Sequence, residues 1–600
     1  MNLRFRPLSF VFLLGILVVF SSPAWAQYGA SIQGTVTDPS GAPVPSAKVT
    51  VTNQATQVSR TTTTTSTGFY AVGQLVPGSY SVTVEAQGFQ KSVTGDVAVL
   101  AEQIRGLNIA LQIGQASQTV TVNAETLPEL QTEDANISGT ITNEQIQNLP
   151  AFGRDAYELI RLAPGVFGDD ARQPNGNAQN LPLQPGTGGS NSEIFQVENQ
   201  VQITSDGQRV TANNYQVDGV SVNSLGWGGA AVITPNEESV KEIQVVSSTY
   251  SAEDGRNSGA QVKVISKNGT NQFHGSGFIK FDDPGLNAFN KYSGPFGSPN
   301  PKTGFGRVNN KYRQFGGSIG GPIMRNSLFF FFSYEGIKQN NPSFHTSAIV
   351  ETPEFRQYVT TNNPSSLAAK IFSNPGIVPR IVSVQPNTTS DCCSFDPAVP
   401  LGGYYDTAMT CGGVTHPGGT GCGPAGIPEF ESANLLDPFT SSGNQYNGRV
   451  DYTRGINQFF YSTYFTHRND FQGGDRPIND LTFVPLNWIM TGGWDRTLGS
   501  SMVNDARFNV THWSYNQVTS SASTDFGIPF YNVFDFNSAV GAPNGVPGCC
   551  INAGAARGGT TPGVFSQTTY DFRDTFSKAM GLHLLKFGGD FAKDLNDNNE

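Results

Sequence analysis

The chain has 600 residues, only 14% of them charged, and 36 Lys and Arg against 47 Asp and Glu give a net charge of −11. This length predicts several domains, and abundant Gly (68) and Phe (41) beside few charges favour strands and turns. The acidic balance, without a clustered basic stripe, argues against nucleic acid as a partner.

The N-terminus has the three parts of a secretory signal peptide. A short positive region precedes an apolar run over residues 10–20, and Ala24 and Ala26 form a small-x-small cleavage site. We predict that residues 1–26 are removed after Ala26. An uncleaved anchor is the alternative, but the apolar run is shorter than the about 20 residues of a spanning helix. Since no later stretch reaches that length, membrane entry requires a closed barrel.

Residues 30–114 have the pattern of a small all-β domain. Tyr80, Val82 and Val84 alternate with polar residues, and turn sequences such as that at 38–41 recur at short intervals. This pattern is typical of a β-sandwich.

Residues 115–127 contain a short extended segment and a linker. Four consecutive residues have high β propensity: Thr119, Val120, Thr121 and Val122. One interpretation is the last strand of the sandwich. The other is a free strand that pairs with the sheet edge of another protein.

Residues 128–270 predict a second, smaller α/β domain. Thr142 and Gln145 fit a capping box that opens a short helix, and Asp155 is suited to cap a second one. Asp218-Gly219 predicts a tight hairpin. A further short helix is expected over 235–242, followed by strands over 243–247 and 261–266.

Residues 271–600 predict antiparallel strands with apolar and polar residues in alternation. Phe273, Ile279 and Phe281 share one face, and the same pattern returns near 450, 460, 508 and 587, which gives about eight to ten strands. Such strands form transmembrane barrels, although a soluble sandwich has the same period. The long Pro/Gly/Asn/Ser-rich stretch at about 340–445, interpreted as a structureless external loop, favours the barrel.

The six cysteines lie in loop-like sequence and are expected to oxidise after export. Pairing within a vicinal pair is disfavoured because adjacent Cα atoms are about 3.8 Å apart. The connectivity stays open, and neither a CxxC spacing nor a histidine pair supports a metal site. These possible disulfide cysteines are Cys392, Cys393, Cys411, Cys422, Cys549 and Cys550.

Two segments carry a resemblance to a known domain. These are GTVTDPSGAPVPSAKVTV and TGFYAVGQLVPGSYSVTVEAQGF. Together they resemble the carboxypeptidase regulatory-like domain over about 80 residues. That domain is not catalytic, so the resemblance implies no enzymatic activity.

Residues 118–340 resemble a TonB-dependent outer-membrane receptor. The motifs, in the family's order, are ITNEQIQNLPAFGRDAYELIRLAPGV, NNYQVDGVSVN, ITPNEESVKEIQVVSSTYSAEDGRNSGAQVKVISKNGTNQFHGS and GGPIMRNSLFFFFSYEG. The resemblance implies a mainly β protein: an N-terminal sandwich, an α/β plug at 128–270, and a barrel from 271 to 600. The family's barrel has about 22 strands, so this chain resembles the front portion of a receptor. No additional signalling domain is apparent.

The same resemblance implies location in a Gram-negative outer membrane, with the N-terminal domains in the periplasm. QTVTVNA resembles the segment that pairs with TonB, so TonB, outer-membrane lipid and an extracellular ligand are the expected partners, without a cofactor. Asp218, Gly219 and Arg256 are the plug residues that we single out, and His274 is expected to be solvated. Asp218 is most simply a turn former, and Arg256 either pairs with the barrel wall or is solvated.

The leading functional hypothesis is energy-coupled uptake of a siderophore, an oligosaccharide or a peptide. Loop composition does not discriminate among these ligands, and carbohydrate binding is one of them. An adhesive or export-linked barrel is the alternative from another class. A secreted glycan-binding β-protein is a third.

Overall fold

A computed structural model describes most of the chain from residue 30 to residue 599. The described ranges are 30–101, 103–114, 119–123, 135–149, 152–168, 194–195, 197–201, 203–225, 228–255, 257–283, 285–286, 311–384, 404–405, 410–411, 414–415, 430–499, 502–519, 531–532, 556–557, 563–580 and 583–599. The signal-peptide prediction, Arg256 and every cysteine except Cys411 fall outside them.

The N-terminal domain is a sandwich of two sheets. One has the order β4-β1-β7, with β8 also paired to β1, and the other has the order β3-β2-β5-β6-β9. Alternate valines and tyrosines such as Val49, Tyr70 and Val82 are buried between the sheets. The strands are Ala30–Thr37 (β1), Lys48–Asn53 (β2), Ser59–Thr63 (β3), Phe69–Leu75 (β4), Gly78–Glu85 (β5), Lys91–Val99 (β6), Ile104–Gly106 (β7), Ile109–Ala110 (β8) and Thr119–Asn123 (β9).

The second domain is built on a mixed sheet with the order β10-β15-β16-β13-β14. Strands β11 and β12 pair with each other beside it. The strands are Ile137–Thr142 (β10), Val166–Phe167 (β11), Thr204–Ser205 (β12), Asn214–Val217 (β13), Val220–Ser221 (β14), Val240–Ser248 (β15) and Gln261–Ser266 (β16).

Local capping chemistry explains the helices of this domain. The predicted capping box is present: Thr142 Oγ1 accepts a hydrogen bond from Gln145 N, and Thr142 N donates to Gln145 Oε1, at the start of the helix Asn143–Asn148. Asp155 caps the segment Ala156–Leu162 through Tyr157 N, but that segment is a 3₁₀ helix.

The helix predicted over 235–242 is wrong. Only Glu237–Ser239 forms a 3₁₀ turn, and the chain is a strand from Val240 onward. The reason is tertiary, because β15 pairs on one side with β10 and on the other with β16. Seven of the nine residues of β15 are buried, as this central position requires.

The third part begins with three long antiparallel strands, His274–Asp282 (β17), Lys311–Met324 (β18) and Leu328–Asn340 (β19). A folded insertion follows, so the prediction of a structureless loop at about 340–445 is wrong. It contains Ser343–Glu351 (β20), the helices Pro353–Asn362 and Leu367–Phe372, the 3₁₀ turn Pro375–Ile377, Ile381–Val384 (β21), Tyr404–Tyr405 (β22), Thr410–Cys411 (β23), Val414–Thr415 (β24) and Phe430–Asp437 (β25).

The insertion is held by its own small sheet, in which β25 pairs with β20, β21 and β22. Buried Val350, Ala433 and Leu435 form its core. The polar, turn-rich composition of this insertion gave no sign of these strands and helices in the sequence. Their apolar residues are few, and they come together only when distant segments pair. We call residues 343–384 and 430–437 the cap.

Seven further strands complete the large sheet. They are Phe439–Arg454 (β26), Asn457–Gln472 (β27), Leu481–Phe483 (β28), Leu486–Leu498 (β29), Met502–Thr519 (β30), Gly563–Met580 (β33) and His583–Asn599 (β34). The short pair Tyr531–Asn532 (β31) and Ala556–Arg557 (β32) lies between β30 and β33 in the sequence. The large sheet has ten antiparallel strands, ordered along the chain from β17 to β34.

The two faces of the large sheet differ as the alternation predicts. On β30, Phe508 is 52% exposed, whereas its neighbours Arg507 and Asn509 are buried on the opposite face. Phe572 and Phe587 continue the exposed apolar face on later strands. The inner face encloses the second domain: buried Tyr464, Ile489 and Trp513 of the large sheet belong to the same apolar core as that domain.

The sandwich lies at the end of the large sheet where the connections are short. Thr497 and Gln458, next to two of these turns, accept hydrogen bonds from Arg60 of β3. Asn271, before β17, donates to Thr56 O over 2.8 Å and to Asn326 Oδ1 of another short turn over 2.7 Å. No helix among the described residues combines the length and apolarity needed to cross a bilayer.

Candidate functional site: the plug–barrel interface

The hairpin at Asp218-Gly219 forms as predicted. Both residues have positive φ, 48° and 90°, which a tight primed turn requires. Asp218 is also buried and does more than form a turn. Its Oδ1 accepts from Ser266 N over 3.0 Å, and its Oδ2 accepts from Ser462 Oγ of β27 over 2.8 Å. The turn therefore joins the inner domain to the surrounding sheet.

Arg449 of β26 is the main cationic partner of this turn. Its Nη1 donates to Asp218 Oδ1 and to Ser266 Oγ over 3.0 and 2.9 Å, and its Nη2 donates to Asp451 Oδ1 over 2.8 Å. The guanidinium also lies 4.7 Å from the ring centre of Phe460. These contacts give the buried side chain of Asp218 both hydrogen-bond donors and a cationic partner, which a buried ion pair requires.

A second buried charge cluster surrounds Arg154 of the inner domain. Its guanidinium contacts Glu237 at 2.9 Å and Glu238 at 3.1 Å within the same domain, and Glu335 of β19 at 3.5 Å. It also lies 3.8 Å over the ring of Phe278 in β17. Burial raises the pKa of Glu237, and the Arg154 charge acts in the opposite direction. One cation thus fixes three carboxylates at the boundary.

Uncharged groups bind the two parts elsewhere. Gln445 of β26 donates to Thr234 O over 2.9 Å and accepts from both Asn236 N and Asn236 Nδ2. Asn487 of β29 donates to the carbonyls of Val197 and Val232 at 2.9 and 2.8 Å. The inner domain is therefore held by polar contacts from several strands of the large sheet.

The far strands contact the inner domain as well. Arg573 of β33 donates to Gly219 O at 3.3 Å and to Glu253 O at 3.2 Å, and Lys586 of β34 reaches Glu253 Oε1 at 3.1 Å. Arg449 of β26 and Arg573 of β33 thus contact the Asp218-Gly219 turn from different strands.

The sandwich is attached both to the large sheet and to the inner domain. In the part of the chain that the structure describes, it contacts the inner domain through the hydrogen bond from Ala101 N to Glu242 Oε2 of β15, at 2.8 Å. Burial raises the pKa of Glu242, while the bond from Ala101 N and the charge of Lys241 favour its ionised form. Arg60 and the carbonyl groups of Ala55 and Thr56 supply contacts with the large sheet.

The segment from Thr119 to Val122 is the outermost strand of the sandwich. Strand β9 pairs in parallel with β6, from Lys91↔Thr119 to Gly95↔Asn123. This is the simpler of the two interpretations left open by the sequence. Pairing of the same segment with another protein stays a prediction.

The predicted residues thus lie in two places. Asp218 and Gly219 are at the boundary of the inner domain, and Thr119–Val122 are on the sandwich. His274 is exposed at the start of β17, where its Nδ1 lies 3.1 Å from Gln272 O. Sequence reasoning missed Arg449, Arg154 and Arg60. The alternation of polar and apolar residues could have placed Arg449 on the inward face of its strand. The sequence separation between Arg449 and Asp218 gave no indication that the two residues are partners.

Comparison with known proteins gives this geometry a family. A model described as "Outer membrane beta barrel domain" matches residues 265–600, more than half of the chain, and one described as "Carboxypeptidase regulatory-like domain" matches residues 31–112. The chain belongs to the outer membrane β-barrel family. The large sheet is therefore the barrel wall, and the protein is placed in the outer membrane of a Gram-negative cell. We call the inner domain, which this wall encloses, the plug. This location is inconsistent with a secreted soluble protein.

Sequence similarity extends to a named relative. The chain is 29% identical over 320 residues to the TonB-dependent transporter Oar of Myxococcus xanthus. This alignment covers 52% of the chain and 27% of the relative. The predicted resemblance to TonB-dependent receptors is confirmed by this similarity. The chain spans about a quarter of the relative's length.

Two solved structures are similar to the chain over about three quarters of its length. The outer-membrane transporter YddB of Escherichia coli matches with 12% identity and a TM-score of 0.44, covering 76% of this chain and 48% of that one. The siderophore receptor PirA of Acinetobacter baumannii matches with 12% identity and a TM-score of 0.37, at the same coverages.

Proposed function

We propose that this protein is a TonB-dependent receptor that takes up a scarce or large ligand across the outer membrane. The observation that carries the proposal is a folded plug inside the barrel wall, held by buried polar contacts beside a shared apolar core and preceded by an extended strand on the periplasmic side. The named relative, a TonB-dependent transporter, supports the same assignment.

The chemistry of the plug–barrel boundary suits a plug that moves. When the plug shifts, hydrogen bonds and ion pairs such as Asp218–Arg449 are replaced by bonds to water. Their net contribution to the free energy that holds the plug in place is therefore far smaller than their strength in a dry medium. A boundary made only of apolar side chains would instead expose its whole area to water. The polar contacts therefore hold the plug in a defined position, while moving it costs only a modest free energy.

The proposed coupling segment is Thr119–Val122. An extended strand binds a sheet edge through its backbone, which places little demand on side-chain identity. Eleven residues, 124–134, separate the end of β9 at Asn123 from the next described residue of the plug, so a pull on the segment is transmitted to the plug through the covalent chain. In this scheme TonB supplies the force, and the ligand undergoes no chemical change.

Ligand recognition is proposed to occur on the outer side, where the barrel carries the cap. The cap is positioned by a bidentate ion pair from Arg476 to Glu351, with atoms at 2.8 and 2.6 Å, and by a second from Arg380 to Asp480. Such bonding makes a rigid surface above the plug. Siderophores, oligosaccharides and peptides are the ligand classes that this proposal includes.

The proposal is tested by measuring binding of the periplasmic C-terminal domain of TonB to the full-length receptor in detergent. Deletion of Thr119–Val122 should abolish binding, whereas exchanging the order of the threonines and valines should preserve it, because pairing is through the backbone. Uptake of a ferric catecholate, a maltodextrin and an oligopeptide by cells should follow the same pattern for whichever compound is transported. Unchanged binding after the deletion would contradict energy coupling and favour the adhesive or export-linked alternative.

A further inference from the structure

The parallel pairing of β9 with β6 determines which sheet edges of the sandwich are available. All five residues of β9 have a partner on β6, and the register runs without interruption. Among the described residues, no strand pairs with the other side of β9, so it forms one end of a five-stranded sheet. The opposite end is β3.

The β3 end faces the barrel. Arg60 of β3 donates a hydrogen bond to Thr497 Oγ1 over 3.3 Å and another to Gln458 Oε1. A partner strand added at β3 would have to displace these contacts at the barrel mouth. The β9 end carries no such contact among the described residues.

The composition of β9 is unusual for an exposed edge. Native proteins protect edge strands with charges, prolines, bulges or a covering element, because an open edge is a template for further pairing. The sequence Thr119–Asn123 is TVTVN, without a charge or a proline, and its pairing contains no bulge. The exposed Thr121 has a short neutral side chain. An edge of this kind is suited to accept another strand.

We propose that the strand of TonB adds to the free edge of β9 while β9 stays paired with β6, so that the partner becomes the sixth strand of the sandwich sheet. This inference rests on the proposed function and specifies the docking surface. The sandwich holds β9 extended in advance, which removes the ordering cost that a disordered segment would incur on binding. Its role is then to present the coupling segment.

TonB is favoured over a second copy of this chain because of where β9 lies in the sequence. The strand is the last described element before the plug, so a partner bound there can act on the plug through the connecting residues 124–134. Pairing of two β9 strands would gain no such connection to a source of force.

A disulfide across β6 and β9 tests the proposal. Val93 and Thr121 are partners in the parallel register, and neighbouring strands are about 4.8 Å apart, which suits a disulfide. The variant V93C/T121C, oxidised and verified by mass spectrometry, should bind the TonB domain with a Kd within about threefold of the reduced form. Loss of binding by tenfold or more on oxidation, reversed by reduction, would show that β9 must leave β6 and would overturn the proposal.

The matched control is T50C/T61C, which links β2 to β3 on the same sheet, where Thr50 and Thr61 are partners. Oxidation of this control should leave the Kd unchanged. If neither redox state of V93C/T121C binds and deletion of 119–122 also has no effect on the unaltered receptor, the proposed function fails and the inference falls with it. Binding by the reduced form alone removes the inference and leaves the proposed function standing.

Amide hydrogen exchange gives a readout that does not depend on disulfide formation. The amides of β6 and β9 should stay protected when the TonB domain binds, and protection in β9 should increase. Loss of protection in β6 on binding would overturn the proposal. Dimerisation of the receptor in the absence of TonB, abolished by T121P, would assign the edge to a second copy and overturn it equally.

Discussion

Asp218 of the plug and Arg449 of the barrel wall form an ion pair, with Oδ1 and Nη1 3.0 Å apart and both side chains buried. The carboxylate occupies a tight turn, where its backbone adopts a positive φ of 48°. One residue therefore both shapes the tip of a plug hairpin and binds that tip to the barrel.

The D218N substitution separates these two roles. Asparagine is well suited to a positive φ, so the turn should persist, but the charge that faces Arg449 is lost. Because Arg449 keeps Asp451 as a partner, we expect a loss of about 1.5–3 kcal/mol in unfolding free energy, measured by denaturation of the purified receptor in detergent. The control E253Q breaks the more exposed pair with Lys586 and should cost at most about 1 kcal/mol. Equal effects of the two substitutions would contradict the assigned importance of Asp218.

Removal of the Arg154 cation should be more damaging. R154M leaves Glu237, Glu238 and Glu335 close together without their shared cation, and breaking a buried ion pair in this way costs about 3–5 kcal/mol. The expected result is a plug that is cleaved by a soluble protease in the assembled barrel, while the barrel itself stays resistant. Protease resistance equal to that of the unaltered protein would contradict the role of this cluster in seating the plug.

Glu198 of the plug makes stability depend on pH. Burial raises the pKa of its carboxyl to about 7, against the opposing hydrogen bond from Ser224. A raised pKa means that the stabilising effect of the neutral form is complete below the ordinary value of 4.5 and is lost as pH rises through about 7.

The E198Q substitution should therefore leave the unfolding free energy unchanged near pH 4. Above pH 7 it should stabilise the plug by up to about 3 kcal/mol, because the amide carries no charge to bury. Thermal unfolding followed between these pH values measures the difference. E144Q, which makes the same change at an exposed position, is the matched control. The same shift at both pH values would contradict the prediction.

Arg60 should hold the sandwich on the barrel. R60A removes the hydrogen bonds to Thr497 and Gln458, and bonds from a charged donor contribute about 1.5–3 kcal/mol. We expect faster amide exchange at the barrel turns near these two residues, with no change inside the sandwich core. K48A, on the neighbouring strand β2, is the control because Lys48 is exposed. Unchanged exchange at the turns would mean that the sandwich is held by other contacts.

The cap should depend on the Arg476–Glu351 pair. Both groups are buried and joined by two hydrogen bonds, and R476M removes them while Arg356 stays 3.0 Å from Glu351, so we expect a cost of about 1.5–3 kcal/mol. Hydrogen exchange should accelerate in β20 and β25 but not in the barrel strands. R380M, which breaks the less buried pair with Asp480, should have the smaller effect. The reverse order of the two effects would contradict this assignment.

Local chemistry made much of this architecture predictable. The capping box of Thr142 and Gln145, the turn at Asp218-Gly219 and the alternation around Phe508 each depend on neighbouring residues, and each appears in the structure. Fold class follows from such patterns because strand alternation is a property of consecutive residues.

Features that join distant segments were not predictable in the same way. The strand at Val240 overrides a local helical signal because it has partners on both sides, and the sheet of the cap forms between segments about 80 residues apart. Pairs such as Asp218 with Arg449 depend on how the plug is oriented in the barrel. No spacing in a single sequence encodes that orientation.

The attachment of the sandwich has a mechanical consequence. A pulling force on the segment after Ile113 acts on two groups of hydrogen bonds. Among the described residues, one bond joins Ala101 to the plug, and several join Arg60, Ala55 and Thr56 to the rim of the barrel. Within the described ranges, the sandwich therefore has fewer hydrogen bonds to the plug than to the rim. Separating the plug from the sandwich breaks fewer bonds than separating the sandwich from the barrel.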